Sequence, residues 1–201
     1  MKNRFEKFVP LTLVLLFSFG CAAMPPVNFS APNIGVSSTK LDAELKSLTV
    51  SIARPGEATG EIRPSPSVRP YGEFQPYPVS LYAGLWKTAL EEAFNRMAIF
   101  KDDSPKKVSL AVKILKFQTI SAFPVAHTSA RYEIIDRSDG SIIFTTDIST
   151  SGVVPFDYAF NGLVRIHESI NRSVQNNIIQ FLQVLETVDM DKPMFPSNKI
   201  N

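Results

Sequence analysis

The chain has 201 residues, with 21 basic and 19 acidic side chains, a net charge of +2 and a single cysteine. Three of the basic residues and one acidic residue lie within residues 1–20, so the remainder carries 18 of each and no net charge. Nucleic-acid binding depends on a surplus of Lys and Arg that neutralises phosphates, so the composition argues against it. One cysteine forms no internal disulfide, and the fold must therefore depend on packing.

A secretory signal peptide is predicted at residues 1–20. Three basic residues precede an uncharged apolar run from Phe8 to Gly20, which is shorter than the roughly 20 apolar residues that a membrane-spanning helix needs. The run closes with Gly20-Cys21, which resembles the lipobox at which bacterial lipoproteins are acylated on cysteine and cleaved just before it. Cys21 is therefore the predicted lipidation site. The alternative is an ordinary signal followed by an unmodified cysteine.

The domain boundaries follow from composition. Residues 21–44 contain several Pro, Asn and Ser residues and little periodicity, which predicts a lipidated N-terminus followed by a flexible tether. A single folded domain is predicted over residues 45–188. Within it, six prolines and three glycines at 54–79 exclude a helix or central strand and indicate a long loop. Residues 189–201 are predicted to be a disordered tail.

Two amphipathic helices are predicted. The first begins at its N-cap Ser80 and ends near Met97, because apolar residues recur on one face of the helix. The second begins between Asp157 and Gly162 and ends near Val188. Its apolar stripe keeps the same phase for about six turns.

Four strands are predicted from alternating apolar and polar residues, which is the pattern of half-buried strands. These segments are Leu48–Ile52, Val108–Ile114, Ala130–Ile134 and Ile142–Ile148. The sequence Ser138-Asp139-Gly140 between the last two is typical of a hairpin turn, so these strands should be antiparallel neighbours. The order β-α-β-β-β-α predicts an α+β fold. We expect a two-layer sandwich in which a four-stranded, mainly antiparallel sheet packs on two helices.

This order of elements, joined to Cys21, resembles a group of small bacterial envelope lipoproteins. The group comprises the YajG-like lipoproteins, the auxiliary lipoproteins of lipid-transporting ABC systems and the LptE-type lipopolysaccharide-assembly lipoproteins. The segments Leu85-Trp86-Lys87-Thr88-Ala89-Leu90-Glu91-Glu92-Ala93 and Ser169-Ile170-Asn171-Arg172-Ser173-Val174 carry the likeness. The resemblance implies an accessory part in envelope biogenesis or lipid transport, and the group has no catalytic motif to transfer. The cysteine would carry acyl chains such as palmitate. Because Ala22 follows the cysteine, the resemblance also implies that the protein lies at the periplasmic face of the outer membrane.

The sequence contains no recognisable catalytic or metal-binding motif. His127 and His167 are the only histidines and lie forty residues apart, so no zinc-ligand spacing is present, and we expect neither a metal nor a cofactor. The adjacent pairs Glu91-Glu92 and Asp102-Asp103 point in different directions and do not form a facing carboxylate pair. His167 is expected to be a histidine at the edge of the core, bonded to a carbonyl or to the preceding loop. Asn177 is expected to fix a loop.

Two loops are apolar where loops are usually polar. One contains Phe123, and the other, before the second helix, contains Phe156, Tyr158 and Phe160. These four aromatic residues are the candidate binding residues, because exposed apolar patches often mark contacts with a partner or an acyl chain. The alternative is that both loops fold over the ends of the sandwich and fill its core.

The predicted function is therefore that of a membrane-anchored periplasmic lipoprotein acting as a non-enzymatic binding or accessory module. Its expected partners are the membrane, held through acylated Cys21, and an envelope protein or lipid. Two alternatives remain open at this point. One is a periplasmic lipoprotein enzyme that acts on lipid or glycan, with catalytic residues brought together only by the fold. The other is a purely structural lipoprotein.

Overall fold

The computed structural model describes residues 26–32, 34–54, 79–120 and 125–195. The elements are β1 Glu44–Ile52, α1 Val79–Met97, β2 Lys107–Ile120, β3 Val125–Asp136, β4 Ile142–Val153 and α2 Gly162–Leu185. This order confirms the predicted β-α-β-β-β-α arrangement and the α+β fold. Residues 1–20, Cys21 and most of the Pro-rich loop 54–79 lie outside the described residues, as does Phe123.

The four strands lie side by side in chain order. β1 is parallel to β2, because α1 lies between them in the chain and a long crossover brings the next strand back in the same direction. β2 and β3 are antiparallel, as are β3 and β4. The connection between β3 and β4 is the predicted hairpin turn, in which Gly140 takes a φ of 75° and its N–H donates to Asp136 O at 2.9 Å. The mainly antiparallel sheet is therefore confirmed.

Both helices pack on one face of the sheet, with α2 against β3 and β4 and α1 against β1. Residues along β3 alternate between buried and partly exposed, so Tyr132 and Ile134 face the helices while Arg131 and Glu133 lie on the outer face. From Ile170 onwards the apolar stripe of α2 is buried, and this part comprises Ile170, Val174, Ile178, Phe181 and Leu185. The core thus lies between the sheet and the two helices.

A chain of hydrogen bonds crosses this core. Trp86 of α1 donates from Nε1 to the Tyr132 hydroxyl at 3.3 Å. That hydroxyl donates to Asn177 Oδ1 at 2.8 Å, and Asn177 Nδ2 donates to Ile148 O at 2.8 Å. The Tyr132 ring also stacks on Phe181, with 3.9 Å between the ring centroids. Asn177 therefore joins α2 to the sheet, whereas the sequence predicted that it would fix a loop.

The backbones of α2 and β4 approach closely at Gly152. A Cβ atom at this position would overlap the carbonyl oxygen of Ser169 and the backbone nitrogen of Ser173. Beside this contact, the hydroxyls of Thr128 and Thr150 both donate to Ser173 O, at 3.1 and 2.7 Å. Small and hydroxyl-bearing residues on both sides let the helix lie directly on the strand.

Residues 26–44 differ from the flexible tether predicted over 21–44, because their described part packs on the domain. Phe29 is buried and stacks on Tyr82 at a centroid distance of 6.0 Å. Further along, Leu41 is also buried, and its N–H donates to Ile99 O at 2.8 Å. The sequence pattern missed this docking because the segment has isolated apolar residues without a period.

The predicted tail 189–201 also differs from expectation in its described part, residues 189–195. Met190 is buried in the core cluster. The N–H groups of Met194 and Phe195 donate to Ile143 O and Ile142 O, at 2.9 and 3.1 Å. This short stretch therefore covers the start of β4, which is an edge strand of the sheet.

Candidate functional site

The connection between β4 and α2 forms the candidate site, and we call residues 154–161 the aromatic loop. Val154 is buried, whereas Phe156, Tyr158 and Phe160 have exposed fractions of 64%, 45% and 104%. Leu163 at the start of α2 is also exposed and extends the apolar surface. Three of the four predicted aromatic residues therefore lie on one loop and face outwards. Only Val154 fills the core, as the competing interpretation had expected of the whole loop.

Arg165, one turn into α2, fixes the shape of the aromatic loop. Its Nη1 donates to the carbonyl oxygens of Phe156, Ala159 and Phe160, at 3.4, 2.5 and 3.3 Å. Its guanidinium carbon also lies 5.5 Å from the centroid of the Phe156 ring, which is within the range of a cation–π contact. Hydrogen bonds from a charged donor are stronger than neutral ones, so this loop has a defined backbone conformation.

Arg172 supports the other side of the loop. It lies 5.3 Å from the centroid of the Tyr158 ring and donates to Val153 O at 3.0 Å. Glu168 accepts a further hydrogen bond from Arg172 Nε at 2.8 Å. With Asp157 in the loop and the two arginines beneath it, positive and negative charges balance locally. The exposed aromatic rings therefore make up an apolar surface on a locally neutral base.

The N-cap of α2 ends the aromatic loop. Asn161 has an extended backbone, and its side-chain oxygen accepts from Leu163 N at 2.9 Å. This contact satisfies one of the N–H groups that the first helical turn leaves without a partner. Together with the N–H of Tyr158, which donates to Pro155 O at 3.2 Å, it makes a compact turn that presents the rings.

The described N-terminal segment begins beside the same part of α2. Asn171 accepts a hydrogen bond from Asn28 N at 3.0 Å and donates to Pro26 O at 3.3 Å. Gln175, one turn further on, donates to Asn28 O at 3.1 Å. Asn171 directly precedes Arg172, which contacts the Tyr158 ring. Residues 26–28 therefore lie against the N-terminal half of α2, the helix that follows the aromatic loop, a juxtaposition with no signal in the sequence.

The histidines and carboxylates are dispersed over the described residues. His167 is 1% exposed and lies on the buried side of α2, while His127 lies on the outer face of the sheet beside Ser151. In the described ranges, no three His, Cys, Asp or Glu side chains come together as a potential metal site.

The pKa shifts of the surface carboxylates come from ordinary ion pairs and hydrogen bonds. A hydrogen bond from Lys101 lowers the pKa of Asp42, one from Lys107 lowers the pKa of Glu44, and one from Ser30 lowers the pKa of Glu92. A general acid that works near neutral pH needs the opposite shift. The direction of these three pKa shifts is therefore opposite to the one that a general acid needs.

None of the helices among the described residues is both long enough and apolar enough to cross a membrane.

Comparison with known proteins gives the fold. No family model matches the sequence, and no curated protein matches it either. Among solved structures, the chain is similar to protein XCC0632 from Xanthomonas campestris, a DUF330 protein, with a TM-score of 0.50 and 12% identity over 81% of this chain and 94% of that one. This likeness shows a shared fold.

Two further solved structures are more distant. Protein CT253 from Chlamydia trachomatis has a TM-score of 0.46 and 12% identity, covering 75% of this chain and 98% of that one. A candidate lipoprotein from Caulobacter crescentus has a TM-score of 0.35 and 15% identity, covering 52% of this chain and 80% of that one.

Proposed function

We propose that this protein is a lipid-anchored, non-enzymatic accessory module of the bacterial envelope, of the kind represented by the YajG-like, ABC-transport auxiliary and LptE-type lipoproteins. Its anchor is acylated Cys21, and its second contact with the bilayer is the aromatic loop. The observation that carries the proposal is the set of rings at Phe156, Tyr158 and Phe160, which Arg165 and Arg172 hold in exposed positions.

The position of the N-terminal segment favours the bilayer as the occupant of this surface. Cys21 precedes Pro26 by five residues, and a chain of five residues spans at most about 18 Å. Pro26 is hydrogen-bonded to Asn171, next to the arginine that contacts Tyr158. The proposed acyl group on Cys21 is thus attached within about 18 Å of a segment that docks on α2, the helix that follows the aromatic loop.

A second membrane contact on the domain adds to the affinity of the lipid anchor, because binding strength rises with the apolar area that enters the bilayer. Phe and Tyr rings suit the boundary between headgroups and acyl chains, where aromatic residues are enriched. The anchor confines the domain to one leaflet, which raises the effective concentration of the loop at that surface. The activity is thus presentation of a fixed domain at the bilayer, in support of envelope biogenesis or lipid transport.

The test is fluorescence quenching by lipid. Phe160→Trp in the full lipidated chain is reconstituted into phosphatidylcholine vesicles whose acyl chains carry bromine, a short-range quencher of tryptophan. We expect strong quenching of the new tryptophan. The matched control is Gln183→Trp, an exposed position about 30 Å further along α2, which should not be quenched. Equal quenching of both positions, or of neither, would contradict the proposal.

A second measurement tests the lipid anchor independently of the aromatic loop. Cells are grown with a clickable palmitate analogue, and uptake is compared between the wild type and Cys21→Ser. Label on the wild type alone supports acylation at Cys21. If neither protein takes up label, the anchor part of the proposal fails, while the quenching result still reports on the loop.

A further inference from the structure

A polar groove of about 320 Å³ lies on the outer face of the sheet, away from the helices. It is lined by Lys116, Gln118, His127, Thr128, Ser129, Ser149, Thr150 and Ser151. The groove is at the end of the sheet that leads into the aromatic loop, since Ser151 lies two residues before Val153 at the end of β4. Neither the aromatic loop nor the anchor accounts for this collection of side chains.

A β-bulge in β2 places the two long polar side chains in the groove. The register with β3 shifts between Ile114 and Lys116, which leaves Leu115 as the extra residue. Ile114 and Phe117 are both buried although they are three residues apart, whereas side chains in a regular strand return to the same face every second residue. Lys116 and Gln118 therefore lie on the outer face, opposite Ser129 and His127. Bulges often occur next to active sites, where they redirect a side chain.

The groove contains a cation and several other hydrogen-bond donors. Ser149 donates to Ser129 at 2.9 Å, and the His127 Nδ1 and Ser151 hydroxyl lie 2.7 Å apart. When Ser151 is the donor in this pair, the His127 Nε2 carries a proton. Within the described ranges, the side chains of Lys116 and Gln118 make no hydrogen bond or ion pair. Their donors are thus available to a ligand.

The charge of the groove indicates the class of that ligand. None of its eight lining residues is acidic. Asp147 lies two residues before Ser149 on β4. Its carboxylate already accepts two hydrogen bonds from Arg131, of 2.7 and 2.8 Å. An ammonium group, an amide, an imidazole and three serine hydroxyls without a competing carboxylate match the oxygens of a phosphate group, to which charged donors bind strongly.

We propose that this groove binds a phosphate group, with Lys116 as the charged contact and Gln118, His127 and the serine hydroxyls as further donors. The phosphate comes either from a phospholipid headgroup or from a free phosphate ester. The groove and the aromatic loop lie at the same end of the sheet, which suits a headgroup. The proposal does not depend on the aromatic loop or on Cys21.

The two histidines make a direct test possible. The ring signals of His127 and His167 are followed by NMR in the full chain in detergent micelles, while inorganic phosphate is added. The second probe is glycerophosphoglycerol, the water-soluble headgroup of phosphatidylglycerol, and sodium chloride at matched ionic strength is the reference. We expect saturable shifts of the His127 signals, whereas His167, which is buried in α2, should not respond.

Variants connect the shift to the groove. Lys116→Gln should weaken phosphate binding about tenfold or more, the loss expected for one charge-assisted hydrogen bond. Lys87→Gln, which removes one positive charge from the exposed face of α1, should leave the affinity unchanged. Gln118→Met is a second groove variant and should also weaken binding.

The two probes distinguish a phospholipid headgroup from a free phosphate ester, and they also show whether the groove binds phosphate at all. Tighter binding of glycerophosphoglycerol than of inorganic phosphate supports a headgroup site, and equal binding supports a site for free phosphate esters. If neither probe shifts His127 beyond the sodium chloride reference, the groove is only a solvated sheet face. Equal affinity of Lys116→Gln and the wild type would also overturn the proposal.

Discussion

The Tyr132 hydroxyl is the central link of a hydrogen-bond chain that joins both helices to the sheet. It accepts from Trp86 of α1 and donates to Asn177 of α2. All three side chains are fully buried. A buried polar group is tolerable only while its partners are present, so the value of each bond depends on the others.

Removing this hydroxyl should destabilise the protein without disturbing its shape. Tyr132→Phe keeps the ring that stacks on Phe181 but leaves the Trp86 N–H and the Asn177 oxygen without this partner. We expect a loss of about 1–3 kcal/mol in the free energy of unfolding, measured by urea denaturation. Tyr158→Phe makes the same chemical change on the exposed aromatic loop and should have no measurable effect. Similar losses in the two variants would show that the buried chain is not important for stability.

The same residue links stability to alkaline pH. Burial raises the pKa of Tyr132, so the folded protein keeps the phenolic proton that the unfolded chain loses above pH about 10. The stabilisation is complete below that pH and is lost as the pH rises further. The urea midpoint should therefore fall above pH about 10, and it should fall less steeply in Tyr132→Phe. Identical slopes for the two proteins would contradict this assignment.

At the scale of whole elements, the fold depends on how closely α2 lies on the sheet. The apolar stripe of the helix sets which side faces inwards, but the separation is set by small residues. Gly152 leaves no room for a methyl group beneath the backbone of Ser169 and Ser173. A larger residue in such a contact forces the two backbones apart, which is the usual consequence of overfilling a core.

Gly152→Ala should therefore destabilise the protein by about 1–3 kcal/mol. The obstacle is backbone on both sides, so rotation of a side chain cannot relieve it. Gly84→Ala in α1 is the control, since nothing lies within 4 Å of the Cβ that it would add. Alanine is favoured over glycine in a helix by about 0.5–1 kcal/mol, so the control should be stabilised. The free energy of unfolding, measured by thermal or urea denaturation, should fall in Gly152→Ala and rise in Gly84→Ala. Stabilisation by both substitutions would refute the close contact.

The elements that were predictable from the sequence are those with a sustained local period. The stripe on α2 and the Gly140 hairpin are local signals, and both appear as predicted. The bulge after Ile114 interrupts the alternation of buried and exposed side chains along β2. A regular alternation would therefore have placed Lys116 on the buried face together with Ile114. The exposed rings were identified from composition, but the arginine contacts that fix them depend on tertiary structure. The local sequence pattern therefore predicts the helices and strands, but it does not determine which of their side chains come into contact.

At the scale of the whole molecule, the described segments at both ends of the chain belong to the domain. Phe29 is buried against Tyr82 of α1, and Met190 is buried in the core cluster. Because the described N-terminal segment is docked from residue 26 onwards, Cys21 lies within about 18 Å of the docked part. The proposed anchor thus restricts the orientation of the domain as well as its distance from the bilayer.

The C-terminal segment offers a matched pair of methionines for testing whether it unfolds with the rest. Met190→Ala removes a buried side chain and should lower the free energy of unfolding by about 2–5 kcal/mol. Met194→Ala, only four residues away, changes a side chain with an exposed fraction of 56% and should stay within about 0.5 kcal/mol of the wild type. Both are measured by urea denaturation followed by circular dichroism. If Met190→Ala is as stable as Met194→Ala, the segment is detached in solution, as composition alone had suggested.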